Sequence, residues 1–183
     1  MPSQATRPVL TRMAWFALAT FAGGGCDLQT KAWAENSLAE LPGRAMMVVE
    51  PWLEFSLTYN RGTAFSLIPD LGASRLIFGV LALAVLGLLA VLVHRWRSDR
   101  GEALALGAIA GGALGNGVDR ALREAPGGGT GVVDFIKLNY PWGGSWPIFN
   151  IADVLVAVGI AYFVLRGLRE ASKGAATPAT AAS

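Results

Sequence analysis

From Leu76 to Val93 the chain carries no charged or polar side chain. A hydrocarbon core takes about 20 helical residues at ~1.5 Å each, so this run predicts a membrane span. Three further apolar runs approach that length, and the pattern places spans near 13–31, 74–94, 102–120 and 148–166. The last two are interrupted, by Asn116 and by Asn150 with Asp153. Pro147 is predicted as the first residue of the fourth helix, where its missing N–H costs nothing.

Between the first two runs the period changes. Leu53-Glu54-Phe55-Ser56-Leu57-Thr58-Tyr59 alternates apolar and polar positions, and Met46-Met47-Val48-Val49-Glu50 precedes it. Both predict strands of a small β-element on the membrane surface, with Pro51 at a strand boundary. After Arg120, Pro126-Gly127-Gly128-Gly129 predicts a flexible insertion with little power to form structure, and Val132 to Leu138 can be extended. Residues 1–173 form one membrane domain. The Ala- and Thr-rich segment 174–183 is predicted as a disordered tail.

Composition agrees with this pattern: of 183 residues, 53% are hydrophobic and 15% charged, too much apolar surface for a soluble domain to hide. The net charge of +2 is scattered along the chain, which argues against nucleic acid as a partner. A single cysteine, Cys26, excludes an intramolecular disulfide and is expected to be a small helix-packing residue. Arg7 and Arg12 before Met13–Ala22, followed by Gly23-Gly24-Gly25-Cys26, have features of a cleaved leader. Position 23 lacks the larger aliphatic residue of such sites, and three more apolar runs follow, so an uncleaved first helix is expected.

Basic residues set the orientation. Arg7 and Arg12 precede the first span, Arg95, Arg97 and Arg100 crowd the short second loop, and Arg166, Arg169 and Lys173 follow the fourth. Four spans put these clusters on one side, read as the cytoplasm, with both termini there. Asp27 and Lys31, then Asn116, Asp119 and Arg120, then Asn150 and Asp153 all fall at the other end. Unrelated interfacial anchors would also place polar residues at helix ends, but agreement among three helices favours a site.

An acid in a membrane helix costs about 2.5–3.5 kcal/mol on insertion scales, so Asp153 asks for a function and a partner. Asp27 precedes Lys31 by four residues, the favourable order for a helical ion pair. Asp119, Arg120 and Asn116 share a helix end and are expected to brace one another locally. Asp134 and Asp153 have less local compensation, since Lys137 would face the other way on a strand. They form the expected reactive pair: two neighbouring carboxyls share one proton, so one can deprotonate water while the other donates to a carbonyl oxygen. Helix composition alone leaves a second possibility open, a small ion-coupled transporter using the same acids as a proton relay; a membrane assembly factor is weaker still. The one histidine, His94, lies in the basic loop remote from the acids, so neither a metal site nor a histidine-activated nucleophile is expected.

Asn60-Arg61-Gly62-Thr63-Ala64-Phe65-Ser66 suits a loop that lets a substrate backbone approach and hydrogen-bond, and suits equally a turn around a buried aromatic. Gly111 and Gly115 have the small-residue spacing of closely packed membrane helices.

Together with Asp27-Leu28-Gln29-Thr30-Lys31, Gly111 to Arg120, Gly131-Val132-Val133-Asp134-Phe135-Ile136 and Phe149-Asn150-Ile151-Ala152-Asp153, that loop gives five segments in family order. On these the chain resembles the lipoprotein signal peptidases, or signal peptidase II, aspartic peptidases of the bacterial inner membrane. The resemblance implies an all-α membrane protein of four transmembrane helices with a small periplasmic β-cradle and a short periplasmic helix or lid. It implies catalysis by Asp134 and Asp153, substrate binding or orientation by Asn60, Gly62, Asn116, Arg120 and Asn150, and a supporting network of Asp27, Lys31 and Asp119. The implied reaction removes signal peptides from prolipoproteins by cutting before the diacylglyceryl-modified cysteine, with no metal or other cofactor. It also implies a multi-pass protein with its site toward the periplasm, in contact with membrane lipids, expected monomeric and sensitive to globomycin-type inhibitors. Two features depart from the pattern: a longer segment between Arg120 and Gly131, and Lys137-Leu138-Asn139 where acidic or aromatic residues are common.

Overall fold

The computed structural model describes residues 6–61, 73–95 and 99–175. Among these are four long helices, α1 (Thr6–Leu38), α2 (Ala73–Arg95), α3 (Arg100–Leu122) and α4 (Ile151–Ala175), and three strands, β1 (Ala45–Val49), β2 (Leu53–Asn60) and β3 (Val132–Leu138). The chain is therefore mostly helical with a small sheet. Helix α3 is the centre of the bundle, packing on α1, α4 and α2.

Glycines allow this packing. A Cβ at Gly107 would fall 2.6 Å from the Phe16 carbonyl oxygen and one at Gly111 2.9 Å from that of Thr20. At Gly115 it would meet Asp27 Oδ2 at 2.2 Å, and at Gly112 the Ala152 carbonyl oxygen at 2.4 Å. One face of α3 thus touches the backbone of α1 and the adjoining face touches α4, as the small-residue spacing predicts.

Among the described residues two segments, Arg75–Arg95 and Ile151–Lys173, are long and apolar enough to cross a bilayer. Leu76, Ile77, Val80 and Leu83 on α2, and Val158, Ile160, Val164 and Leu168 on α4, point outward. A face of that kind suits hydrocarbon better than water. Helix α1 has 33 residues, roughly 50 Å at the usual rise, and overruns the predicted 13–31 at both ends. Its last turns are held by the sheet: Ala34 and Leu38 are buried with Leu57, Val133 and Phe135. Trp33, Phe55 and Phe135 meet edge to face, with centroids 5.4 to 6.1 Å apart.

The sheet is antiparallel in the order β1-β2-β3. Register places Thr58 opposite Asp134, Asn60 opposite Val132 and Glu54 opposite Lys137. The last pair closes as an ion pair at 3.0 Å, leaving Lys137 engaged away from Asp134, as strand alternation predicts.

Four expectations are corrected. Helix α4 starts at Ile151, four residues after Pro147. The reason is twofold: Phe149 is still extended, exchanging backbone hydrogen bonds with Ile136 at 2.8 and 3.0 Å, and Asn150 and Asp153 supply the helix cap described below. Cys26 is exposed on α1 instead of buried at a helix contact. The Gly-rich insertion is ordered as a tight hairpin, closed by Ala125 N–H to the Gly129 carbonyl at 2.9 Å and Gly128 N–H to that of Ala125 at 3.0 Å. Gly127, Gly128 and Gly129 all have positive φ, which glycine adopts at little cost, and the Arg61 side chain donates to the Pro126 carbonyl. Residues 174 and 175 of the expected tail belong to α4, while 176–183 lie outside the described residues. The expected lid helix and Gly62 find no place among the described residues: the helical part of the first long connection described there is a 3-10 turn, Pro42–Arg44, and 62–72 lie outside them.

Candidate active site

The start of α4 fixes the site. Asn150 Oδ1 accepts the Asp153 N–H at 3.1 Å, and Asp153 Oδ2 accepts the Asn150 N–H at 3.1 Å. This reciprocal pair is a capping box, three residues apart. An acid in the first turn of a helix also faces the positive end of its dipole. Asp153, costly at the centre of a span, is thus favourably placed at this end.

Asn150 also reaches sideways. Its side-chain N–H group lies 2.6 Å from Asp134 Oδ1, 3.1 Å from Asn116 Oδ1 and 3.2 Å from the Val133 carbonyl oxygen. Asn116 in turn donates to Asp153 Oδ1 at 3.1 Å. Strand β3 therefore delivers Asp134, α4 delivers Asp153, and the two carboxylates are bridged by Asn150 directly and by Asn116 at one remove.

Beneath this layer lies a buried ion cluster. Lys31 Nζ stands 2.7 Å from Asp27 Oδ2, 3.0 Å from Asp119 Oδ2 and 2.8 Å from Asn116 Oδ1. All three charged side chains are completely buried. Asp27 Oδ1 accepts the Ala152 N–H at 2.8 Å, and Asp119 Oδ2 accepts the Val133 N–H at 3.2 Å. The cluster thus grips the backbone on either side of the site, at the first turn of α4 and one residue before Asp134. Ion pairs desolvated this fully add little net stability compared with apolar packing, but losing one partner is expensive.

Asp134 is 3% exposed. Burial raises its pKa from the ordinary 3.8, a hydrogen bond from Asn60 opposes the rise, the nearby Asp153 charge adds to it, and the result is about 6. Asp153 is exposed. Asp134 thus keeps its proton to higher pH than an ordinary carboxyl, while Asp153 faces the surface.

Of the expected residues, Asp134, Asp153, Asn60, Asn116, Asn150, Asp27, Lys31 and Asp119 are brought into one network. Arg120 stands apart from it, with its guanidinium 5.1 Å from the centre of the Phe78 ring. Asp119 is braced by Arg123 at 2.7 Å and by Lys31 instead of by Arg120, because four residues, not one, bring side chains together on a helix. Asn116 is no local brace either; it spans α1 and α4. Arg123, Glu35 and Tyr59 join the network without having been anticipated. The spacing of Asp119 and Arg123 was the available signal for the first, and nothing local marked the other two.

Residues 18–169 match the family model for signal peptidase (SPase) II. The chain belongs to the signal peptidase II family. A lipoprotein signal peptidase of Xanthomonas oryzae pv. oryzae is 37% identical over 168 residues, 87% of this chain and 93% of the relative. One from Syntrophomonas wolfei subsp. wolfei is 39% identical over 135 residues, 73% of this chain and 78% of the relative. A solved bacterial membrane enzyme superposes with a TM-score of 0.68 at 25% identity, over 84% of this chain and 92% of that one. As a signal peptidase II the protein is a membrane-embedded aspartic peptidase. The transporter alternative finds no support, since the matches run along nearly the whole chain and are to peptidases.

Proposed function

We propose that Asp134 and Asp153 are the catalytic pair of an intramembrane endopeptidase that removes the signal peptide of prolipoproteins by hydrolysing the bond before the diacylglyceryl-modified cysteine. The observation that carries this reading is Asn150, whose side chain binds one carboxylate while its backbone N–H binds the other. Asp153, open to the surface, takes a proton from water. The resulting hydroxide attacks the scissile carbonyl carbon, and protonated Asp134 donates to the carbonyl oxygen. As the tetrahedral intermediate collapses, one of its hydroxyls returns a proton to Asp134 and Asp153 passes the proton taken from water to the leaving amine nitrogen, which restores the starting pair. Asn60 and Arg120 hold the substrate peptide or lipid head, as does Gly62, and the network of Asp27, Lys31 and Asp119 keeps the pair in place.

All four helices span the inner membrane in this reading, with the site toward the periplasm and both termini in the cytoplasm. Supporting it, Arg12 donates to the His94 carbonyl at 2.9 Å and Arg166 pairs with Asp99, which gathers the basic clusters at the end of the bundle away from the aspartates. The polar residues of α1 and α3 that lower their hydropathy are paired inside the bundle. The enzyme works as a monomer among lipids and binds globomycin-type inhibitors. Cleavage of a lipidated prolipoprotein by the purified enzyme in detergent tests the assignment: Asp134→Asn and Asp153→Asn abolish it, and full activity in either variant would remove that residue from the chemistry.

A further inference from the structure

Arg123 is the first residue beyond α3 and closes its C-terminus, donating its N–H to the Asp119 carbonyl at 2.8 Å. Its side chain forks. Nε donates to Asp119 Oδ1 at 2.7 Å, and a terminal nitrogen donates to Glu35 Oε2. The other Glu35 oxygen accepts the Tyr59 hydroxyl at 2.8 Å. Glu35 lies on α1 one turn past Lys31, and Tyr59 lies on β2 directly opposite Val133. The ends of two helices and the middle of the sheet are thereby tied through one guanidinium.

This chain of bonds closes around Asp134. Val133, the residue before it, is held by Asp119 from the α3 side and by the Tyr59 pairing from the sheet side. Asn60, the residue after Tyr59, hydrogen-bonds Asp134 itself. The Arg123 carbonyl also takes the Gly131 N–H at 3.3 Å, at the entry to β3. Elsewhere α1 meets the sheet through the apolar cluster of Ala34, Leu38, Leu57, Val133 and Phe135, and such contact is non-directional. A planar fork with two carboxylate partners resists sliding in a way that a single ammonium does not.

We infer that Arg123, with Glu35 and Tyr59, is a positioning unit that fixes β3, and with it Asp134, relative to the helices that carry Asp153 and Asn116. It touches none of the reacting atoms, and the inference rests on the assignment of Asp134 and Asp153 as the reacting pair. A group displaced by about 1 Å can lose on the order of 100-fold in rate. The unit therefore acts on turnover and leaves substrate affinity alone.

Purified Arg123→Gln, Arg123→Lys, Glu35→Gln and Tyr59→Phe enzymes are to be compared with the unmodified protein on a lipidated prolipoprotein, with kcat, KM and the unfolding temperature measured separately. Arg123→Gln lowers kcat about 30-fold with KM within about twofold, and Arg123→Lys recovers part of the loss. Glu35→Gln and Tyr59→Phe lower kcat about 3- to 10-fold, the effect of weakening one charged hydrogen bond. The Arg123→Gln/Glu35→Gln pair falls no further than Arg123→Gln, because the residues act as one unit. Wild-type kcat in every folded variant, with only the unfolding temperature lowered, would overturn the inference. Should Arg123→Gln not fold, Tyr59→Phe and Glu35→Gln decide it alone by the same criterion. Asp134→Asn run alongside separates the two readings: if it is active, the catalytic pair is misassigned and the inference falls with it. If it is inactive while the Arg123, Glu35 and Tyr59 variants turn over normally, only the positioning unit is refuted.

Discussion

The side-chain amide of Asn150 donates to the Asp134 carboxylate at 2.6 Å. Asn150→Ala removes that donor and also the side-chain acceptor of the Asp153 N–H in the α4 cap, while its backbone N–H to the Asp153 carboxylate remains. Activity on a lipidated prolipoprotein is expected to fall at least about 100-fold, as for misplaced reacting groups. The lost cap should cost about 1 kcal/mol of stability. Turnover and thermal unfolding in detergent check the two effects separately.

Stability should depend on pH through Asp134. Its carboxyl ionises at about 6 in the folded protein against an ordinary 3.8. The folded state therefore binds its proton more tightly than the unfolded state, and the contribution is fully present below pH 3.8 and lost as pH rises through about 6. The full change is about 3 kcal/mol at 1.36 kcal/mol per pKa unit. Unfolding temperatures measured from pH 4 to 7 should decline in the unmodified enzyme and stay flatter in Asp134→Asn, which carries no charge to bury. An equal decline in both would show that another group is responsible.

Lys31→Met leaves Asp27 and Asp119 facing each other with no cation between them, in a place where all three side chains are wholly buried. Removing one partner of a buried ion cluster costs about 3–5 kcal/mol. The expected outcome is a sharply lowered unfolding temperature or no recoverable folded protein, measured by detergent-solubilised yield and thermal unfolding.

Gly112→Ala places a methyl 2.4 Å from the Ala152 carbonyl oxygen. Backbone cannot yield as a side chain can, so α3 and α4 must separate, at about 1–3 kcal/mol for overpacking. Activity should fall as well, since Ala152 sits between Asn150 and Asp153. Gly87→Ala on α2, where nothing lies within 4 Å, should leave both stability and turnover intact or slightly improved.

Periodicity made the helices and strands legible because each has one dominant environment. The Leu76–Val93 run and the Leu53–Tyr59 alternation both correspond to observed elements. The start of α4 was misplaced because Pro147 is an acceptable first helical residue by local rules, whereas the competing signal came from a strand partner, Ile136, remote in sequence. The Asp27–Lys31 pair was visible as a four-residue spacing. Its link to Asp119 was not, since that distance of 3.0 Å is made by two helices, α1 and α3, meeting. Asn150 and Asp153 were recognisable as polar intrusions into an apolar run. Only the fold could show that they cap each other, and that Glu35 reaches Arg123 across 88 positions.

The seam between α1 and α3 bears on how a substrate gains access to this enzyme. Gly107 and Gly111 bring α3 against the backbone of Phe16 and Thr20, and Gly115 leaves room for the Asp27 side chain alone. Close-packed interiors transmit strain instead of absorbing it, so these helices behave as a single rigid block, to which Gly112 adds the first turn of α4. Breathing motions that admit a lipidated peptide then fall outside this block, and the floor beneath Asp153 and Asn116 stays still.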